Sequence, residues 1–162
     1  MIQCKIDFNT SYNQFYISSD NGNLALRQGT GNWSKESYNS RLGVYENMLA
    51  IYTESYGHIK GELFLLCKEN KDSDFSSYDH IVEGSLNVKS GFIQFLDCPN
   101  SQVELEMQVT PGKYRVRVFF SNLLGYDSDD EECDDFYIIE IWPNSHSEKK
   151  ILKLFPREFP AL

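Results

Sequence analysis

The chain has 162 residues, 41% of them hydrophobic and 14% aromatic, with a formal net charge of −9 and a pI near 4.8. That apolar content suffices for one core and argues against disorder. The acidity argues against general binding to nucleic acid or an anionic membrane, and no apolar run reaches the roughly 18–20 residues of a membrane span.

The first segment, MIQCKIDF, places Ile2, Cys4, Ile6 and Phe8 on one face and Gln3, Lys5 and Asp7 on the other. This period of two predicts a half-buried strand. It lacks a basic region followed by an apolar core, so a cytoplasmic location is expected rather than secretion. Residues 12–19 repeat the alternation through Phe15 and Ile17. Residues 20–32, rich in Gly and Asn, read as a loop. Ser34 is a candidate cap for a short helix over 35–42, with Tyr38 and Leu42 spaced i,i+4 and Gly43 as its stop.

Residues 45–53 and 59–67 read as apolar strands. Residues 81–88 and 91–96 flank the Lys89-Ser90-Gly91 turn, which is a hairpin signal. In the next segment Val103, Leu105, Met107 and Val109 alternate with Glu104, Glu106 and Gln108. The Thr110-Pro111-Gly112-Lys113 turn follows, with Pro setting φ and Gly accepting a positive one. Tyr114, Val116, Val118 and Phe120 then alternate with Lys113, Arg115 and Arg117. Residues 136–142 and 150–155 complete the pattern, and the final Phe-Pro-Arg-Glu-Phe-Pro stretch is expected to drape over the surface in extended form. These nine or ten strands, with no βαβ alternation, predict a single all-β domain over 1–162. The expected architecture is an antiparallel β-sandwich with one short helix, and 143–162 form a C-terminal extension.

Seven of the nine residues from 127 to 135 are acidic: Asp127, Asp129, Asp130, Glu131, Glu132, Asp134 and Asp135. Like charges crowded on one loop repel each other, so stability does not explain them. Three readings are open: a solvated loop, a Ca²⁺-binding edge of the kind some sandwich modules carry, and a recognition surface for a basic protein. Asp127-x-Asp129-Asp130 begins like an EF-hand loop but lacks its Gly and distal Glu. Tyr126 and Phe136 bracket the run and Leu123 and Leu124 precede it, an arrangement that suits an interface of aromatic anchors and steering charges. Trp33, beside the Gly-rich stretch, is a second candidate contact.

His58, His80 and His146 are dispersed and fit no zinc spacing, and Cys4, Cys67, Cys98 and Cys133 contain no C-x-x-C. No P-loop, nucleophile elbow or dinucleotide fingerprint occurs. No catalytic residue, metal or other cofactor is therefore expected, and the cysteines are expected to be free thiols.

Three short motifs resemble the competence-protein ComJ family, known as inhibitors of the DNA-entry nuclease. Ser11-Tyr12-Asn13-Gln14-Phe15 is similar to an early S-Y-x-Q-F strand, and Trp33-Ser34-Lys35-Glu36 to a W-[ST]-x-E helix start. Pro111-Gly112-Lys113-Tyr114 feeds a strand, followed by a loop and Tyr137-Ile138-Ile139-Glu140. Their order and spacing span most of residues 2–142. This chain differs in its length, its extension after Pro143 and its denser acidic loop. The resemblance implies a non-enzymatic inhibitor or immunity protein whose partner is a basic protein, a nuclease. The alternative is a Ca²⁺-dependent or small-ligand-binding β-sandwich module.

Overall fold

The computed structural model describes residues 1–20, 34–125, 129 and 133–157. Most of the Gly/Asn-rich stretch, Trp33, Tyr126, Asp127, Asp130, Glu131, Glu132 and residues 158–162 lie outside the described residues.

Among the described residues, eleven strands and one helix follow in chain order: β1 Ile2–Asn9, β2 Gln14–Ser18, α1 Lys35–Ser40, β3 Leu42–Val44, β4 Met48–Tyr52, β5 His58–Leu65, β6 His80–Val88, β7 Phe92–Leu96, β8 Val103–Gln108, β9 Gly112–Ser121, β10 Phe136–Pro143 and β11 Lys150–Lys153. A single 3-10 turn covers Phe75–Ser77. One sheet has six strands in the order β1-β5-β10-β9-β6-β11, and the other has five, in the order β3-β4-β2-β7-β8. Ile6, Phe8, Ile59, Leu63, Val116, Val118, Phe120, Tyr137 and Ile139 from the first sheet meet Phe15, Ile17, Leu49, Ile51, Ile93 and Phe95 from the second. The described residues form the expected two-sheet β-sandwich, with one short helix among them.

Four details differ from the sequence expectation. First, the described residues hold eleven strands. The additional strand is β3, which begins where the helix was expected to continue. Ser34 caps α1 as expected: its Oγ accepts from Ser37 N–H and Ser37 Oγ accepts from Ser34 N–H, both at 3.0 Å. Arg41 then takes φ 62 and ends the helix two residues before Gly43. Leu42 is fully buried and pairs opposite Ile51, so sheet pairing and core burial outweigh the lone Tyr38–Leu42 helical spacing.

Second, the six-stranded sheet is mixed, because β10 runs parallel to β5 while its other pairings are antiparallel. The two parallel strands approach closely at Gly61. A Cβ on Gly61 would lie 2.0 Å from the Tyr137 carbonyl oxygen, which only glycine avoids.

Third, the Lys89-Ser90-Gly91 turn makes no hairpin. It carries the chain from β6 in one sheet to β7 in the other. The Pro111-Gly112 turn crosses between sheets in the same way, from β8 to β9, and the two crossings are tied by Val109 N–H donating to Gly91 C=O at 2.8 Å. Gly91 has φ +84, which a side chain would strain.

Fourth, Arg115 and Arg117, on the face of β9 that alternation leaves to water, are 3% and 4% exposed. Arg117 donates to Glu83 at 2.6 Å and Glu69 at 2.8 Å, lies over the Trp142 ring at 4.9 Å, and holds Asn70 C=O at 3.0 Å. Arg115 donates to Glu83 at 3.0 Å and to the carbonyls of Ser147 and Glu148. These arginines thereby fasten the β5–β6 and β10–β11 connections across the outer sheet face. β11 pairs with β6, so part of the C-terminal extension belongs to the sheet. Beyond it, Arg157 is buried with its guanidinium carbon 3.6 Å from the Tyr38 ring centroid, while residues 158–160 of the stretch expected to drape over the surface lie outside the described residues.

Candidate functional site

The acidic run joins β9 to β10, and these strands pair directly, with Ser121 opposite Phe136. Residues 122–135 therefore leave and return at nearly the same point. Two buried carboxylates hold the two roots of this loop. At the outgoing root, Glu54 Oε2 accepts from Leu124 N–H at 2.7 Å and from Gly125 N–H at 3.1 Å, while Asp79 accepts from Leu123 N–H at 2.9 Å. At the returning root, one oxygen of Asp135 accepts from Ser55 N–H and Ser55 Oγ, each at 3.0 Å, and from the Tyr137 hydroxyl. Tyr137 Oη in turn accepts from Glu54 N–H at 3.0 Å. Both roots thus converge on two adjacent residues, Glu54 and Ser55, in the β4–β5 turn. Several donors per carboxylate offset part of the cost of burying the charge.

Electrostatics follow the burial. The Glu54 carboxyl is pushed above its usual range because desolvation outweighs the Arg41 guanidinium, 3.7 Å away, and the two amide bonds. The Tyr137 hydroxyl is held well above its ordinary value by full burial and then by the Asp135 charge, so it stays a donor.

A second turn is tied to the same platform. Thr53 N–H donates to Asn13 C=O at 2.8 Å, and Asn13 Nδ2 donates to Glu54 C=O at 3.0 Å. Tyr12 and Asn13 both have positive φ, 60 and 56. This conformation is uncommon for an aromatic residue and projects Tyr12 outward, where it is 59% exposed. The Tyr12 ring packs edge-on against Tyr56 with centroids 5.9 Å apart. Leu124 is 55% exposed at the outgoing root, and Asp129 and Asp134 are exposed on the loop. One end of the sandwich therefore presents Tyr12, Tyr56 and Leu124 beside exposed acids, on a base fixed by buried hydrogen bonds.

Among the expected contact residues, Asp129 and Asp134 are at the surface. Asp135 is a correction: it is fully buried and serves as a structural acceptor, because Ser55 and Tyr137 need one there. Leu123 is also buried, and Phe136 is only partly exposed. Tyr126, Asp127, Asp130, Glu131, Glu132 and Trp33 lie outside the described residues. Sequence reasoning missed the pairing of Tyr12 with Tyr56 and the support from Glu54 and Ser55. Asn13 signals a turn, yet nothing local shows that the two turns meet.

The histidines do other work. His80 is buried, with Nε2 donating to Ser40 C=O at 2.8 Å and Nδ1 accepting from Phe155 N–H at 3.1 Å. Burial, then the nearby Arg41 and Arg157 charges, lower it to about 4, against a hydrogen bond that raises it. His58 bonds Asp7 at the surface. No group of three His, Cys, Asp or Glu residues among those described is arranged to hold a metal ion. Cys4, Cys67, Cys98 and Cys133 form no disulfide. No described helix is long and apolar enough to cross a membrane.

No family model matches the chain, and no curated protein matches it at a significant level. Two solved structures do. One is the crystal structure of ComJ, inhibitor of the DNA degrading activity of NucA, from Bacillus subtilis, with a TM-score of 0.61 and 17% identity, covering 87% of this chain and 96% of ComJ. The other is the crocagin biosynthetic gene J protein, with a TM-score of 0.58 and 16% identity, covering 90% of this chain and all of that one. The chain has the ComJ fold.

Proposed function

We propose that this protein is a non-enzymatic inhibitor that binds a basic nuclease, or a toxin of that kind, through the end of the sandwich carrying the acidic loop. The observation that carries the reading is the mounting of that loop: seven acids on one connection whose two roots are fastened to the Glu54–Ser55 platform. A connection that only needed solubility would not need a fixed base. A nuclease cleft must hold phosphates and is therefore positive, so an acidic surface steers toward it and competes with substrate. Tyr12, Tyr56 and Leu124 supply apolar anchors beside the charges, and interface energy concentrates in such residues. The likeness to ComJ supports the same class of activity.

The test is inhibition with a defined stoichiometry. A nuclease recovered with the tagged protein from its native cells is purified, and its DNA cleavage is followed while this protein is titrated in. The expected result is loss of cleavage at a fixed molar ratio, relieved by substituting Tyr12 and the exposed acids together. Undiminished cleavage at saturating protein would remove the inhibitor reading. Micromolar Ca²⁺ binding lost on Asp129→Asn and Asp130→Asn would favour the ligand-module alternative instead.

A further inference from the structure

Among the described residues, four strands lie at sheet edges: β1 and β11 in one sheet, β3 and β8 in the other. An unpaired edge is a template for another strand, and proteins usually guard it by shortness, bulges or charge. Three of the four are guarded here. β3 has three residues, and β11 has four with an irregular register. β8 carries Glu104 and Glu106 with no cation, so pairing it with itself never opposes unlike charges. β1 is different. It has eight residues and pairs regularly with β5, and among the described residues no strand pairs with its other edge.

We propose that β1 pairs antiparallel with β1 of a second copy of this chain, joining two six-stranded sheets across a two-fold axis at Ile6. The charges select this register. In antiparallel self-pairing only positions of like parity face each other, so the axis falls on a residue. An axis at Lys5 opposes Lys5 to itself, and one at Asp7 opposes Asp7 to itself. An axis at Cys4 leaves Lys5 facing Gln3. An axis at Ile6 sets Lys5 opposite Asp7 of the second copy and Asp7 opposite its Lys5, with Gln3 facing Asn9 and Cys4 facing Phe8. Directly opposed unlike charges stabilise a strand pair, and like charges destabilise it. Lys5 and Asp7 already lie 3.2 Å apart on the outer face, with side chains 80% and 45% exposed; His58 bonds the other Asp7 oxygen, and the exposed edge of the carboxylate can still join a four-charge cluster of alternating sign. Such a contact is isologous, as a closed dimer requires. It does not rest on the proposed function, because β1 supplies none of the residues placed at the inhibitory end.

Sedimentation equilibrium tests the pairing. The wild-type protein is expected to show a reversible monomer–dimer equilibrium that weakens with salt. Lys5→Asp or Asp7→Lys alone should raise the dissociation constant about tenfold or more, and the double variant K5D/D7K should return it to within about threefold of wild type. A second measurement needs no substitution. Amide exchange of the wild type should slow at alternate positions of β1 as protein concentration rises, with β3 and β8 unchanged. A protein that stays monomeric to roughly millimolar concentration, a dimer indifferent to the single reversals, or unchanged β1 exchange would each overturn the proposal.

Discussion

Asp134 and Asp135 are adjacent in the chain, yet one is exposed and the other is fully buried. Their substitutions should separate accordingly. Asp135→Ala strands Ser55 N–H and the Tyr137 hydroxyl in the interior, and should cost about 3 kcal/mol in urea denaturation. Asp134→Asn should change stability by less than about 0.5 kcal/mol, since it neutralises a surface group in a repulsive run. Equal effects would mean that the loop root is not held as described. His80 provides a pH signature. Its folded value of about 4 lies below the ordinary 6.5, so between these values the unfolded chain binds the extra proton. Stability from this group is therefore full above pH 6.5 and falls as pH drops toward 4, by roughly 3 kcal/mol in all. Glu54, with its carboxyl raised, contributes the opposite slope over its own range, so the informative quantity is a difference. His80→Gln keeps a donor and an acceptor without titrating. Its stability relative to wild type should improve steadily from pH 6.5 to pH 4, and a constant difference would show that His80 does not carry the slope.

At the scale of elements, Gly61 is the position where sequence and topology meet. Gly61→Ala forces a Cβ into the Tyr137 carbonyl, so β5 and β10 must separate. We expect a loss of about 3 kcal/mol or more in thermal unfolding, against about 1 kcal/mol for alanine at the open Gly112, which has nothing near its Cβ. Comparable melting temperatures for the two variants would argue against the parallel pairing. Most strands were legible because they alternate with period two, β4 because it is a continuous apolar run, and the Ser34 cap because its chemistry is local. What was not legible depended on partners distant in sequence. Lys89-Ser90-Gly91 has the composition of a hairpin turn, yet the same composition serves a crossing between sheets. Arg115 and Arg117 alternate as solvent-facing residues do, yet Glu83, Glu69 and two connections cover them. β3 is too short to register a period. At the candidate site the acidic run stood out in the sequence. The inward turn of Asp135 and the joining of Tyr12 to Tyr56 rest on contacts spanning more than 40 residues.

For the whole molecule, the proposed inhibitor reading predicts separable contributions of charge and anchoring to partner binding. The net charge is −9, and the acidic run is its densest part. Long-range attraction acts before contact and is screened over roughly 8–10 Å at ordinary ionic strength, so on that reading the run should act on association rather than on dissociation. Substituting Asp129, Asp130, Glu131 and Glu132 together by Asn and Gln should slow association with a basic nuclease by about tenfold at low salt, with dissociation changed far less. The gap between wild type and variant should close as salt rises. Tyr12→Ala should do the reverse: association within about twofold and dissociation faster by tenfold or more, because an exposed aromatic acts only after docking. Both variants should keep wild-type stability, since neither group is part of the buried platform of Glu54, Ser55, Asp135 and Tyr137. Stopped-flow binding at several salt concentrations reads both arms. If the quadruple variant associates at the wild-type rate in low salt, the loop is a solvated connection, and the interface must be sought elsewhere, first around Trp33.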